Sequence, residues 1–392
     1  MRNLASIQTV DKIIEIPKAN TIELVTFKNV AWQCVAKKGE FVPGGLCVYF
    51  EIDSLLPKEN TAFAFMEARK FRVKTVKFMT EYLSQGLALP ISAFPELDIE
   101  KMADGLDVTE VLKITKYEND AGDDEEAVEE MSKNRKKYGK FRNLLMKYKI
   151  GRFIVRTFIG NKPTGNFPTH LCAKTDETRI QNLVSLFEKA KGIEFIISEK
   201  LEGQSGTYIL QKGKFFRKNT FYVCSRNNCY PTKIPNNFWY IADKYKIQEI
   251  LESLMRSFKD ATHITLQGEI VGPKVQKNIY KLEDLEFYAF NIVVTFKNGD
   301  VTAFNPKFIK ALLEIVYEHT VKAENKITHC PILGTCILGV TPGYRTVEEI
   351  LQSAEGCSTL FNTHREGLVL RNMGMHYSFK AVSNAYLLKR GY

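Results

Sequence analysis

The sequence predicts an α+β protein of two units, an N-terminal all-β barrel followed by a larger unit of antiparallel strands interrupted by helices. Three observations predict it. Short runs rich in Val, Ile, Phe and Trp crowd the N-terminal part. Strands and helices intermix in the C-terminal half without regular βαβ alternation, which disfavours a doubly wound sheet. Between the two lies an abrupt shift to charged residues. The length of 392 residues also exceeds the roughly 100–200 residues of a usual single domain.

In chain order, Ile22–Phe27, Val30–Lys37 and Leu46–Phe50 read as strands, separated by turn chemistry at Lys38-Gly39 and Pro43-Gly44-Gly45. A partly open five-stranded OB barrel is one fold that fits a unit spanning residues 1–115. Lys70-Phe71-Arg72-Val73-Lys74-Thr75 alternates, so as a strand it would show Lys70, Arg72 and Lys74 on one face. Such a basic stripe would track a phosphate backbone, or simply be a solvated face. Residues 116–165 form the linker: an acidic run from Asn119 to Glu126, a basic run from Lys133 to Lys137, and an amphipathic basic helix over Lys140–Arg156.

Residues 166–392 form the second unit. Helical spacing marks Arg179–Ala190, Asn237–Phe258 and Pro306–His319. Strands are predicted at Glu194–Ser198, Thr207–Leu210, Ile264–Ile270, Leu285–Val294, Gly367–Arg371 and Tyr377–Val382. No internal repeat, Walker A loop or dinucleotide fingerprint occurs.

Composition narrows the function classes. A net charge of +10 and a pI near 9.0 suit a polyanionic partner. No run approaches the roughly 18 apolar residues of a membrane span, and the N-terminus lacks the apolar core of a secretory signal. An intracellular, soluble protein of the cytoplasm or nucleus is expected, acting as a monomer. The eight cysteines are scattered without C-x-x-C spacing, which points to structural thiols rather than zinc ligands.

The chemistry is carried by Glu199-Lys200-Leu201-Glu202-Gly203, at the end of an apolar strand. Lysine and glutamate two positions apart project from one face. Free lysine is neutral in roughly one molecule in a few thousand at pH 7, so a nucleophilic lysine needs burial or nearby positive charge. Downstream lie Cys224-Ser225-Arg226-Asn227, Gln267-Gly268-Glu269-Ile270-Val271-Gly272, Phe287-Tyr288-Ala289-Phe290-Asn291, Glu366-Gly367-Leu368-Val369-Leu370-Arg371 and Ser378-Phe379-Lys380-Ala381. Each sets polar groups at or beside a strand.

With this ordered series the chain resembles the covalent nucleotidyltransferase superfamily of polynucleotide ligases and capping enzymes over Lys200 to Lys380. More narrowly it resembles ATP-dependent RNA ligases that place an OB module before a minimal nucleotidyltransferase domain. The phrases Phe71-Arg72-Val73-Lys74-Thr75, Ser84-Gln85-Gly86-Leu87 and Lys174-Thr175-Asp176-Glu177-Thr178-Arg179-Ile180-Gln181-Asn182 carry that likeness.

The resemblance implies that Lys200 attacks the α-phosphorus of ATP and forms a lysyl-AMP. The AMP passes to the 5′-phosphate of RNA, and a 3′-hydroxyl displaces it. Glu202, Glu269 and Glu366 would gather around Mg²⁺ or Mn²⁺, and Arg226 would hold a phosphate or the ribose. Phe290 would stack on adenine, Glu199 would contact adenine or ribose, and Lys380 would neutralise the α-phosphate. Two positions depart from the pattern: Ser378 stands where many members have a second lysine, and Asn291 where aspartate is frequent. A DNA ligase or capping enzyme would carry its OB domain after the last motif, where only Ala381–Tyr392 remain. The other alternative is a noncatalytic RNA-binding protein, opposed by the intact Lys200, Glu202, Glu269, Glu366 and Lys380.

Overall fold

Strand β1 (Ala5–Glu15) organises the N-terminal unit by pairing with different strands along its two halves. The computed structural model describes residues 3–79, 81–117, 165–213, 217–230 and 232–390. The charged linker and the helix expected over Lys140–Arg156 thus lie outside the described residues, apart from the linker's outermost positions. Following β1 come β2 (Ile22–Phe27), β3 (Gln33–Lys37) and β4 (Leu46–Phe50). Next are β5 (Ser54–Leu55), β6 (Thr75–Phe78), β7 (Tyr82–Gln85), β8 (Leu87–Pro90) and β9 (Thr115–Lys116).

The first half of β1 pairs with β4, from Ala5↔Phe50 to Thr9↔Leu46, and the second with β2, from Val10↔Phe27 to Glu15↔Glu23. A bulge between Val10 and Ile13 separates the halves, and bulges add the twist that curls a sheet. The resulting five-stranded sheet runs β3-β2-β1-β4-β8. It nearly closes where Val35 N–H donates to Ser84 Oγ at 3.0 Å and Gln33 Nε2 to Leu83 O at 3.1 Å. Gly86 explains the Ser84-Gln85-Gly86-Leu87 phrase: its φ is +131°, and a Cβ there would lie 2.4 Å from the Tyr49 ring.

The basic stripe does not form. Lys70 and Phe71 take left-handed conformations (φ 52° and 58°) where a 3₁₀ helix, Thr61–Arg69, ends, so the strand begins only at Thr75. Arg72 and Val73 are both buried. Arg72 pairs with Asp53 at 3.2 Å and lies 3.7 Å over the Tyr117 ring. It is a structural cation, and Lys70, Arg72 and Lys74 do not share a face.

The second unit has two sheets. One is built from β10 (Gly165–Asn166), β12 (Gln204–Gln211), β13 (Thr220–Cys224), β14 (Asn228–Cys229), β15 (Ala261–Val271), β16 (Glu286–Phe296) and β17 (Val301–Ala303). Its order is β10-β14-β13-β12-β15-β16-β17, with β18 (Thr328–His329) parallel to β16. The other sheet runs β19-β11-β20-β21, from β11 (Glu194–Lys200), β19 (Ile332–Ile337), β20 (Gly367–Asn372) and β21 (Ser378–Val382).

Six α-helices are described: α1 (Val184–Lys189), α2 (Asn237–Lys244), α3 (Ile247–Ser257), α4 (Pro306–His319), α5 (Val347–Ser353) and α6 (Asn384–Arg390). Helices α2, α3 and α4 bury Phe238, Ile241, Leu251, Leu254, Ile309 and Leu313 on the larger sheet. Helices α1 and α5 cover the smaller one through Phe187, Ile350 and Leu351.

Two expected helices are subdivided. Asn237–Phe258 breaks at Lys246, whose φ of 51° is left-handed, yet both halves bury residues in one core and so keep a continuous apolar pattern. Arg179–Ala190 becomes a 3₁₀ turn, Ile180–Asn182, and the short α1. That turn is held by the barrel: Ala31 N–H donates to Gln181 O at 2.7 Å, Asn182 Nδ2 to Glu51 at 3.0 Å, and Trp32 Nε1 to Asn182 Oδ1. Among the described residues no helix is long and apolar enough to cross a membrane.

Candidate active site

The segment Leu201-Glu202-Gly203 carries the chain from the smaller sheet, at the end of β11, to the larger sheet, at the start of β12. Lys200 therefore sits where the sheets meet. Gly203 makes the crossing possible, because a Cβ there would lie 2.3 Å from Ile270 O of β15. Glu202 is buried, and its backbone N–H donates to the Tyr280 hydroxyl at 2.6 Å.

Register explains why motifs distant in sequence converge. Lys200 lies opposite Gly367, which brings Glu366 to it, and Lys200 Nζ is 2.7 Å from Glu366 Oε1. Ser198 pairs with Val369, and Val369 with Lys380. By the two-residue period of strands, Ser198, Lys200, Val369, Arg371 and Lys380 share the face toward the site. The opposite face, with Phe195, Ile197, Leu368, Leu370 and Phe379, is core. From the larger sheet, Glu269 pairs with Ser205 on β12.

All eight motif residues singled out in the second unit, namely Glu199, Lys200, Glu202, Arg226, Glu269, Phe290, Glu366 and Lys380, border one cavity of about 560 Å³. Phe290 is half-buried rather than core, with the Arg371 guanidinium 5.7 Å from its ring centre. Glu199 Oε2 accepts the Thr359 N–H and hydroxyl, both at 2.9 Å, while Oε1 is buried without a partner. Asn291 donates to Gln267 Oε1 at 2.9 Å, a bond that an aspartate in its place could not supply.

The electrostatics favour the charged form of Lys200. Burial works to lower the pKa of Lys200, but the carboxylates of Glu366 and then Glu269 outweigh it and raise it above the ordinary lysine value. Lys380 moves the other way, down to about 8, because burial dominates, helped by Arg179 and Lys200 and opposed by Asp176. Lys380 Nζ is 2.8 Å from Asp176 Oδ1, and Arg226 Nη2 is 2.7 Å from Oδ2.

Several site residues escaped the sequence reading. Glu177 receives Arg371 Nη2 at 2.7 Å and Nε at 3.2 Å, and its other oxygen takes the Ser378 hydroxyl. Arg371 lies directly opposite Ser378 on the paired strand and also donates to Phe290 O. A cation is thus present beside Ser378, where many relatives of this type have lysine. His329 borders the cavity with Nδ1 2.6 Å from Cys330 O and Nε2 buried and unpartnered; burial pushes its pKa down to about 4. For Asp176 and Glu177 the phrase Lys174–Asn182 was the signal, without a chemical role attached; for His329 there was none.

Glu202, Glu269 and Glu366, expected to gather around a cation directly or through its waters, all border the cavity, and among the described residues no three acidic, histidine or cysteine side chains converge as a metal-holding group. The Lys200 ammonium instead draws on Glu366 and Glu269. Their hard carboxylate oxygens still fit Mg²⁺ or Mn²⁺, since such ions commonly take one or two carboxylates, with water and substrate phosphates completing the shell.

Comparison with known proteins agrees with this geometry. An OB-fold domain family matches residues 4–91, and the RNA ligase family matches residues 193–382. No curated protein sequence matches. Among solved structures, an apo mutant of a Naegleria gruberi RNA ligase is similar with a TM-score of 0.76 and 31% identity, over 99% of this chain and 98% of that one. A lysine-to-methionine mutant of Naegleria gruberi RNA ligase with AMP and Mn gives 0.76 and 32% over 98% of both chains. A lysine-to-alanine mutant with ATP and Mn gives 0.75 and 31%, again over 98% of both.

Proposed function

The chain belongs to the RNA ligase family, and from that premise we propose that Lys200 is the residue through which this ATP-dependent ligase takes up AMP. The observation that carries the assignment is the convergence of the motif residues on one cavity around the Lys200–Glu366 pair.

In the first step the neutral Lys200 amine attacks the α-phosphorus of ATP. An N–P bond forms, the bond to the bridging oxygen breaks, pyrophosphate leaves with the electron pair, and the nitrogen gives up one proton to solvent. The AMP then passes to the 5′-phosphate of RNA, restoring the amine, and a 3′-hydroxyl attacks the activated phosphate and releases AMP. Phosphoryl transfer of this kind depends on position and charge rather than on an acid–base triad. Phe290 supplies an aromatic face for adenine, its backbone carbonyl held by Arg371. The free Oε1 of Glu199 accepts a hydrogen bond from the base or ribose.

Arg226 and Lys380 hold phosphate charge, and the burial of Lys380 keeps its share of that interaction strong. Held by Glu269 and Glu366, a divalent cation would add positive charge against the phosphates and relieve Lys200 of its carboxylates. The substrate of this reading is RNA with 5′-phosphate and 3′-hydroxyl ends, and residues 1–115 and 166–392 act as the two units.

Incubation with α-labelled ATP and Mg²⁺ or Mn²⁺ tests the assignment. Label should become covalently attached to the protein and be absent from Lys200→Ala. Label from GTP alone would indicate capping chemistry, and label retained by Lys200→Ala would remove the assignment.

A further inference from the structure

The segment Lys174–Arg179 leads into the second unit, and the steps above leave its Asp176 without a task. Its carboxylate lies among three cations from separate parts of the fold. Lys380 Nζ of β21 is 2.8 Å from Oδ1; Arg226 Nη2, in the loop between β13 and β14, is 2.7 Å from Oδ2; and Lys116 Nζ, at the end of β9, which pairs with β5 at the edge of the barrel unit, is 3.7 Å from Oδ2. All four residues border the cavity that holds Lys200.

Arg226 and Lys380 alone set two positive charges against the single carboxylate of Asp176. Burial opposes ionisation of Asp176, but Lys380 first, then Arg226 and Lys116, outweigh it and hold the carboxyl well below the ordinary carboxylate range. A tetrahedral phosphate offers more charge and more acceptor oxygens than a carboxylate, and cations arranged from several directions suit it better. The carboxylate itself is more than one-third exposed, at 36%, so an entering anion reaches the same cations from the cavity side.

We infer that Lys116, Arg226 and Lys380 form a phosphate site spanning both units, and that Asp176 occupies it as a resident anion which an incoming phosphate must displace. This deepens the ligase reading, on which it rests for its biological ligand. Two sources share the chemistry, the polyphosphate of ATP and the 5′-phosphate of RNA. In either case Asp176 sets a threshold: a weakly bound anion loses to it, whereas a polyanion positioned by base contacts wins. Lys116 adds something the nucleotidyltransferase unit alone lacks, a phosphate contact from the barrel side.

The sign of one substitution separates this reading from a plain salt-bridge staple. Binding of metal-free inorganic pyrophosphate is measured by calorimetry on the full chain, beside a short 5′-phosphorylated RNA and its 5′-hydroxyl counterpart. Asp176→Asn should tighten pyrophosphate by up to about fivefold, since losing an exposed ion-pair competitor is worth up to ~1 kcal/mol. If the site serves the RNA end instead, the 5′-phosphorylated RNA alone gains. Lys116→Ala, which removes the cation of β9, should weaken whichever probe responds, and it keeps the test alive should Asp176→Asn fold poorly. A staple predicts the reverse, because freed cations repel and scatter. Unchanged or weaker binding of both probes in Asp176→Asn, or unchanged binding in Lys116→Ala, overturns the inference. Neither arm uses ATP, so absent label on Lys200 would sink the catalytic assignment without touching this one.

Discussion

Lys200 rests in the protonation state opposite to the one its chemistry needs. Burial favours the neutral amine, yet Glu366 at 2.7 Å and Glu269 behind it hold the ammonium. Glu366→Gln removes the larger of these two attractions, so the Lys200 titration midpoint should fall. Competitive acylation of Lys200 across pH, without metal, would record it; an unmoved midpoint would mean that Glu366 does not set the protonation state. His329 gives a stability prediction. Its folded pKa of about 4 lies below the ordinary 6.5, so the unfolded chain binds the extra proton between these values. The His329 contribution is therefore fully present above pH 6.5 and is lost as pH falls toward 4, by ~3 kcal/mol at 1.36 kcal/mol per unit. Denaturant unfolding of the protein and of His329→Gln should diverge in pH slope over that window alone. Lys200, Glu366 and Lys380 were legible through the ordered series of motifs and the family resemblance it carries, since Lys-x-Glu-Gly alone is a weak signal. His329 was not, since a single histidine acquires its cavity only from the packing of β16 against β18.

At the scale of elements, the site depends on how closely two sheets approach at the β11–β12 crossing. Gly203→Ala places a methyl 2.3 Å from Ile270 O, and the crossing must shift to admit it. Displacements near 1 Å cost about 100-fold in positioned chemistry, so lysyl-AMP formation should fall by that order in a protein that remains folded. Labelling at the unaltered rate, with circular dichroism unchanged, would show that the approach is not critical. The pairing of β20 with β21 also bears on Ser378. Arg371 stands across from it, tied to Glu177, so the positive charge near this position comes from the neighbouring strand. Strand periodicity in the sequence identified the elements and their faces. It did not identify the breaks at Lys246 and Leu183, because a helix that turns while burying the same face leaves its apolar spacing intact.

For the whole molecule, the two units share both charge and core. Asp53 of the barrel pairs with Arg72 at 3.2 Å and with Arg179 of the second unit at 3.0 Å, all three being nearly buried. Tyr386 and Leu387 of α6 pack with Val10, Val25 and Tyr49 of the barrel, and Gln85 bonds Asn384 at 2.9 Å. The strand that carries Lys380 thus continues into a helix that closes one side of the barrel. Asp53→Asn removes the carboxylate charge that the two buried guanidinium groups share, a change of about 3–5 kcal/mol for breaking a buried pair. Urea unfolding should then show loss of stability of that order; a change below about 1 kcal/mol would make the clamp incidental. By itself the sequence determined the two-unit α+β order, most strand positions and the motif residues around Lys200, because alternation and motif spacing are local properties of the chain. Only the tertiary structure decided that Arg72 is an interior partner of Asp53 rather than a surface cation. It also placed Asp176 among Lys116, Arg226 and Lys380 and kept Lys200 charged beside Glu366. Burial and charge pairing depend on what distant segments bring to the same place, and no local pattern encodes that.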